Sequence, residues 1–281
     1  MSRTGVKTAA AGFVRERVVR RLLPSSVNSN ANRNDRVGAF HRAWGHVFTS
    51  QLEGAYYELG VYRGDAFRAS WQVYRTFVDW QQAQVTADED WRRDRARAYA
   101  AFQHHFYAFD TFEGLPDSED GGTILAKGHF ACSREEFARR NAAAGIVEGP
   151  NVRYFKGLFA DVAVREREAL ASLQPAAVVN LDCDLYVSAV DALALVAPML
   201  QQGTVLLADD WNIFHARRDQ GERRAVREFL ARRSEFEFEP WFNYEIAGQA
   251  FLVHRSAPPN GIPPNGVPSS SSPRPTQGSD Q

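Results

Sequence analysis

Three aspartates stand where short β-branched apolar runs stop: Asp182 closes AAVVNLD, and Asp209 with Asp210 closes GTVLLADD. An apolar run that breaks abruptly into carboxylates is the mark of a strand buried on both faces of a parallel sheet, read at its C-terminal edge. A helical pattern from Val187 to Leu200, ending in QQG, joins the two runs into one βαβ unit. Both strands of such a unit point the same way, so the carboxylates can meet at one crevice. Oxygen-only ligands suit a hard cation such as Mg²⁺, with Mn²⁺ the alternative that availability decides. One strand-end Asp commonly just faces water, but a pair with a second strand-end Asp favours an ion. Asp184 lies two residues beyond Asp182 and on an extended backbone projects to the same side, where one carboxylate can ligate and the other accept a proton. His215, in NIFHARR, is a rival base, although a lone loop histidine is usually solvated.

The crevice needs a second wall, and the first strand supplies it. Glu58-Leu-Gly60-Val61-Tyr-Arg-Gly64 ends that strand and opens a helix. Glycines let the chain turn sharply and approach a ligand, and the helix N-terminus offers unpaired N–H groups to an anion. The pattern is E-x-G-x-x-x-G rather than G-x-G-x-x-G, which disfavours a pyrophosphate and suits a smaller anion such as an amino-acid carboxylate. Asp110 closes FYAFD, the place where such folds hold ribose hydroxyls. With Glu58 and Gly60, it points to a nucleoside-bearing cofactor.

Strands are expected near 55–60, 106–110, 152–156, 177–182 and 203–209, and helices near 65–79, 88–103, 133–144, 160–173, 187–201 and 219–233. Ser133 and Glu136 form S-x-x-E, a capping box. FEFEPWFNYEIAGQAFLVH reads as a terminal antiparallel hairpin. Alternating β/α units followed by a hairpin predict an α/β fold: a doubly wound, Rossmann-like sheet, mostly parallel, with an antiparallel C-terminal edge. Residues 1–36 form a basic, partly ordered extension with a short amphipathic pattern, FVRERVVRRLL; 37–255 form the domain, with 37–54 as its cap; 256–281 are a Pro/Ser-rich tail expected to be disordered.

Thirty-three Lys and Arg balance thirty-four Asp and Glu, so no overall basic field exists to attract nucleic acid. Two cysteines, Cys132 and Cys183, imply no disulfide framework. No apolar run approaches the ~20 residues of a spanning helix, and arginines interrupt the only apolar stretch near the start. The chain reads as cytosolic.

YELGVYRG, FDTFEGLPD (109–117), KGHFACSREE (127–136), FKGLF (155–159), LDCDLY (181–186) and ADDW (208–211) follow one another in an order that resembles the macrocin O-methyltransferase family, over residues 50–255. Those are class I S-adenosylmethionine-dependent enzymes that methylate sugar hydroxyls on natural products. The resemblance implies that Glu58, Gly60 and Val61 line the methionine end of the cofactor and that Asp110 holds the ribose. It also places Thr111 and Phe112 beside the adenosine, Asp182, Asp209 and Asp210 on a divalent metal, and Asp184 as general base. The expected partner is a hydroxylated small molecule, a sugar or glycoside. ADEDWRRDRARAYAAF, before Asp110, reads as an extra helix near the cofactor edge or at a subunit contact of a homo-oligomer. Two other accounts use the same fold: a nicotinamide-dependent oxidoreductase, against which the missing third glycine counts, and a non-catalytic methyltransferase-like binding protein.

Overall fold

A computed structural model describes residues 34–86, 89–119, 122 and 125–256. The amphipathic stretch FVRERVVRRLL and the Pro/Ser-rich tail from 257 lie outside the described residues. The strands are β1 (Ala55–Leu59), β2 (Phe106–Asp110), β3 (Val152–Lys156), β4 (Ala176–Leu181), β5 (Leu200–Ala208), β6 (Phe236–Tyr244) and β7 (Gly248–Arg255). The helices are α1 (Arg36–Ser50), α2 (Asp65–Gln84), α3 (Asp90–Ala100), α4 (Arg134–Ala143), α5 (Phe159–Arg165), α6 (Arg167–Ala171), α7 (Tyr186–Val196) and α8 (Gly221–Arg232). Among the described residues no helix is long and apolar enough to cross a membrane.

One sheet runs in the order β3-β2-β1-β4-β5-β7-β6. The first five strands are parallel; β7 pairs antiparallel with β5, and β6 with β7. This is the doubly wound sheet with an antiparallel edge that the alternating pattern predicts. Every residue of β1 and β4 is buried, because helices cover both faces. Alternate side chains serve opposite cores. Tyr56, Phe106, Val178, Val205 and Leu207 pack beneath α1 and α2. Tyr57, Phe109, Val179, Leu181 and Leu206 pack beneath α5, α7 and α8.

Helix α1 begins at Arg36, just after Asp35. The Asp35 carboxylate accepts from the Gly38 N–H at 2.8 Å, a side-chain N-cap. Its apolar face then brings Trp44 to 5.7 Å from Phe106, ring centroid to centroid, with the indole N–H donating to Ser70 Oγ at 3.0 Å. The boundary expected at residue 36 therefore falls inside a helix, and Arg36 is its first residue. Ser133 caps α4 through the Glu136 N–H at 3.2 Å, while the Glu136 side chain pairs with Arg139 and Arg140.

The extra helix α3 is not at the cofactor edge. The Tyr99 hydroxyl donates to the Leu52 carbonyl at 2.7 Å and lies 2.8 Å from His104 Nε2, whose ring also contacts the Gly54 carbonyl. These groups precede β1 and β2, so α3 packs at the N-terminal end of the sheet. Burial lowers the His104 pKa to about 4, and the ring is a neutral part of an aromatic core.

Strand register sets the level of the site. Leu59 pairs with Phe109 and Leu181, and Leu181 pairs with Ala208. The residues that follow, Gly60, Asp110, Asp182 and Asp209, therefore stand at one level, Asp110 as the last residue of β2 and the others just beyond their strands.

Candidate active site

A cavity of about 370 Å³ opens over the C-terminal ends of β1 to β4, within the roughly 300–1,000 Å³ of small-molecule sites. It spans the reversal of strand order between β1 and β4, where open α/β sheets bind ligands. Gly60 and Val61 line it from β1, Asp110 and Thr111 from β2, Gly157 from β3, and Asp182 and Asp184 from β4; Leu115, Pro116, Phe130, Leu158 and Phe159 give it apolar walls.

The cofactor half is tied together by Asp110. One carboxylate oxygen accepts from the Val61 and Tyr62 N–H groups at 2.7 and 3.2 Å, and the other from the Phe112 N–H at 2.7 Å. The loops after β1 and β2 are thus fixed to each other, with the acid still facing the cavity. Gly60 serves a different close approach from the one its type suggests. At φ +90° a Cβ there would fall 1.9 Å from the Asp182 carbonyl oxygen, so the glycine lets the loops after β1 and β4 touch. Gly64, at φ +78°, precedes α2 and would meet Phe137 at 2.8 Å.

Two of the expected cofactor residues sit elsewhere. Glu58 is fully buried and lies outside the cavity wall, beneath it. The Tyr56 hydroxyl donates to Glu58 Oε2, and desolvation pushes the Glu58 pKa up to about 8. Phe112 turns into the core, 5.4 Å from Phe137, and Leu115, Pro116 and Phe130 form the wall in its place. Thr111 lines the cavity, its hydroxyl donating to the Gly114 carbonyl at 2.7 Å.

The acidic half gathers all four aspartates, but not as an extended strand would. Asp184 takes a left-handed conformation, φ 58°, in a tight turn closed by the Leu185 N–H donating to the Cys183 carbonyl at 2.6 Å. Asp182 and Asp184 face the cavity, whereas Asp209 and Asp210 stand behind them. The Asp210 carboxylate accepts from the Asp184 N–H at 3.0 Å, and the Asp210 N–H donates to Glu222 Oε2 at 3.1 Å. Burial, then neighbouring carboxylates, raises Asp182, Asp210 and Glu222 well above the carboxylate range and lifts Asp184 to about 6.

Three contributors carried no signal in the sequence. The Arg36 guanidinium donates to Asp209 Oδ2 and lies 3.6 Å from Asp182 and 3.7 Å from Glu245. Glu222 is fully buried in α8, a helix whose many arginines suggest only a solvated face. Glu245, in the β6–β7 turn, accepts from the Arg36 N–H at 3.1 Å. An N-cap Asp before an apolar i, i+3, i+4 pattern would have revealed α1; nothing local would have revealed what Arg36 meets 173 residues away.

His215 is exposed on the short turn Phe214–Ala216 and takes no part in the cavity wall. Lys127 is likewise exposed. Trp211 packs against Phe251 at 4.9 Å, and the Tyr186 hydroxyl donates to Glu228 at 2.7 Å, joining α7 to α8. Cys183 is a buried filler beside the acids.

The donor set at Asp182, Asp209 and Asp210 suits a hard divalent ion, and Asp209 Oδ1 is buried without a hydrogen-bond partner among the described residues. As placed, no three His, Cys, Asp or Glu side chains among the described residues are arranged to hold an ion together. Arg36 lies between Asp182 and Asp209 instead. The cavity suits S-adenosylmethionine in size, with an acid on each side of the strand-order reversal.

No curated protein matches the chain. Among solved structures it resembles the O-methyltransferase NovP, at 21% identity over 78% of this chain and 80% of that one, TM-score 0.54. It also resembles CalS11, a calicheamicin methyltransferase, at 18% identity over 77% of each chain, TM-score 0.51. At these identities the likeness establishes the methyltransferase fold. Residues 93–235 match the macrocin O-methyltransferase (TylF) family model. A seven-stranded methyltransferase sheet with a cavity at its strand-order reversal, and a family match across half the chain, make this protein a member of the macrocin O-methyltransferase family, an S-adenosylmethionine-dependent O-methyltransferase.

Proposed function

We propose that the chain methylates a hydroxyl of a sugar or another polyhydroxylated small molecule, with divalent-metal assistance and Asp184 as the base. The observation that carries this reading is the single cavity walled at one end by Gly60, Val61 and Asp110 and at the other by Asp182 and Asp184. S-adenosylmethionine would lie against the first group, with Asp110 at the ribose, and supplies a methyl group on a sulfonium centre. Mg²⁺ or Mn²⁺ would be held by Asp182, Asp209 and Asp210 and supplies Lewis-acid polarisation of the acceptor.

The chain's own part is positioning and proton removal. An alcohol attacking a methyl group must lose its proton, and Asp184 is the carboxylate that faces the cavity while its turn is anchored through Asp210. His215 is exposed and away from the wall, which favours Asp184. Phe130, Leu158 and Phe159 present apolar surface that keeps water from the reacting centre. The likeness to CalS11, itself described as a TDP-rhamnose 3'-O-methyltransferase, supports a sugar acceptor.

The test is calorimetry with S-adenosylhomocysteine and with NAD, followed by a methyl-transfer screen of glycosides with and without EDTA. Binding of S-adenosylhomocysteine alone, and EDTA-sensitive methylation of a glycoside, are expected. Turnover insensitive to EDTA would remove the metal from the reading; no binding of S-adenosylhomocysteine would remove the cofactor assignment.

A further inference from the structure

The acidic cluster already contains a cation. We propose that Arg36 and a divalent ion are mutually exclusive occupants of this site, so that the ion must displace the guanidinium in order to bind. The inference rests on the metal reading above and adds the competition built into this chain.

Three observations carry it. First, the guanidinium stands between the two carboxylates that come from different strands, touching Asp209 and lying 3.6 Å from Asp182. A Mg²⁺ held by both carboxylates at about 2.0–2.1 Å would need the same oxygen atoms and the same space. Second, the guanidinium fit is incomplete. It makes one short contact rather than the two-pronged one that matches a carboxylate. Arg36 Nε and Asp209 Oδ1 are both buried without hydrogen-bond partners among the described residues, and Asp209 is only 9% exposed. Third, Arg36 has somewhere to go. It is the first residue of α1, its side chain is 29% exposed, and α1 is capped independently by Asp35. The side chain can swing toward solvent without unwinding the helix.

The Coulomb balance explains why an occupant is needed at all. Asp182, Asp184, Asp209 and Asp210 crowd the ends of two neighbouring strands, and Arg36 is the cation paired with Asp182 and Asp209. Two cations together at this spacing would repel strongly at the reduced dielectric of the site.

The experiment is an Mn²⁺ titration of the protein without cofactor or acceptor, reading free Mn²⁺ by electron paramagnetic resonance. Arg36→Gln is expected to bind Mn²⁺ at least about tenfold more tightly than wild type, because a competing charge is gone. Arg36→Lys, which keeps the charge, should stay within a few-fold of wild type, and Arg36→Gln/Asp209→Asn should lose the gain. Equal or weaker binding by Arg36→Gln, with wild type binding Mn²⁺, overturns the competition and leaves the metal reading standing. If neither protein binds Mn²⁺ at millimolar concentration, both are overturned. A measurement on wild type alone keeps the test independent of folding of the variants. Mg²⁺ that binds, seen by calorimetry, must shift the Arg36 Nε–H resonance, and an unmoved resonance overturns the proposal.

Discussion

The Asp210 carboxylate accepts the Asp184 backbone N–H at 3.0 Å, tying the turn after β4 to the end of β5. Through that bond a residue behind the cavity wall fixes a left-handed turn that a non-glycine residue adopts only when its surroundings impose it. Asp210→Ala removes the acceptor and releases the turn. Turnover should fall by at least about 10–100-fold, the cost typical of supporting contacts, because the same carboxylate is also a proposed ligand of the divalent ion, while S-adenosylhomocysteine affinity by calorimetry stays within a few-fold. Unchanged turnover would contradict both the support of Asp184 and the place of Asp210 among the metal ligands.

Asp182 and Asp110 face the two ends of one cavity, so their removal should separate two functions. Asp182→Ala is expected to abolish methyl transfer with little effect on S-adenosylhomocysteine binding. Asp110→Ala leaves the amides of Val61, Tyr62 and Phe112 without their carboxylate and should weaken cofactor binding first. Steady-state kinetics beside calorimetry distinguishes the two patterns, and a shared pattern would contradict the division.

Gly60→Ala should be among the most damaging single changes. The added methyl would sit 1.9 Å from the Asp182 carbonyl oxygen, at a φ of +90° that alanine rarely adopts. A loss of about 3 kcal/mol or more is expected, the scale of combined backbone strain and steric overlap. Denaturant unfolding measures it; a melt matching wild type would mean that the two loops do not touch.

Glu58 makes stability depend on pH in the direction opposite to a salt-bridged acid. Its pKa is about 8 in the folded chain, above the ordinary glutamate value of 4.5, because burial disfavours the charge. Between those two values the unfolded chain has lost the proton and the folded chain keeps it. Stability is therefore full below about pH 4.5, falls as pH rises, and levels off once the folded group ionises near 8. Summed over that window the loss is on the order of a few kcal/mol. Glu58→Gln, which keeps a hydrogen-bonding partner for Tyr56, should flatten the slope in urea unfolding series from pH 5 to 8.5. An unchanged slope would assign the effect to another group.

The sheet was legible because its signal is local. AAVVNL and GTVLLA are apolar on both faces and stop at carboxylates, so the strands, their direction and the convergence of Asp182, Asp209 and Asp210 could all be read from the chain. The site's fine structure was not legible, for equally physical reasons. Whether Phe112 faces ligand or core is decided by a single φ of 57°, which no residue pattern encodes. Glu58 looks like a pocket acid because a strand-end position is polar, yet in β1 it points under the sheet's end and is sealed by α1 and α2. Asp184 faces the cavity, as expected, but through a turn rather than an extended segment. Arg36 and Glu245 were invisible because their partners lie in distant parts of the chain, and the cofactor edge was the wrong one of two places expected for α3 because a charged helix says nothing about which end of the sheet it caps.

The Arg36 N–H to Glu245 contact joins positions 209 residues apart. Pairing across such a distance comes late, since the intervening chain must first be made and ordered. A nascent polypeptide stalled before the β6–β7 turn emerges from the ribosome can have β1 to β5 in place while its acidic pocket still lacks this clasp. Completion of the pocket is therefore postponed until the terminal hairpin closes.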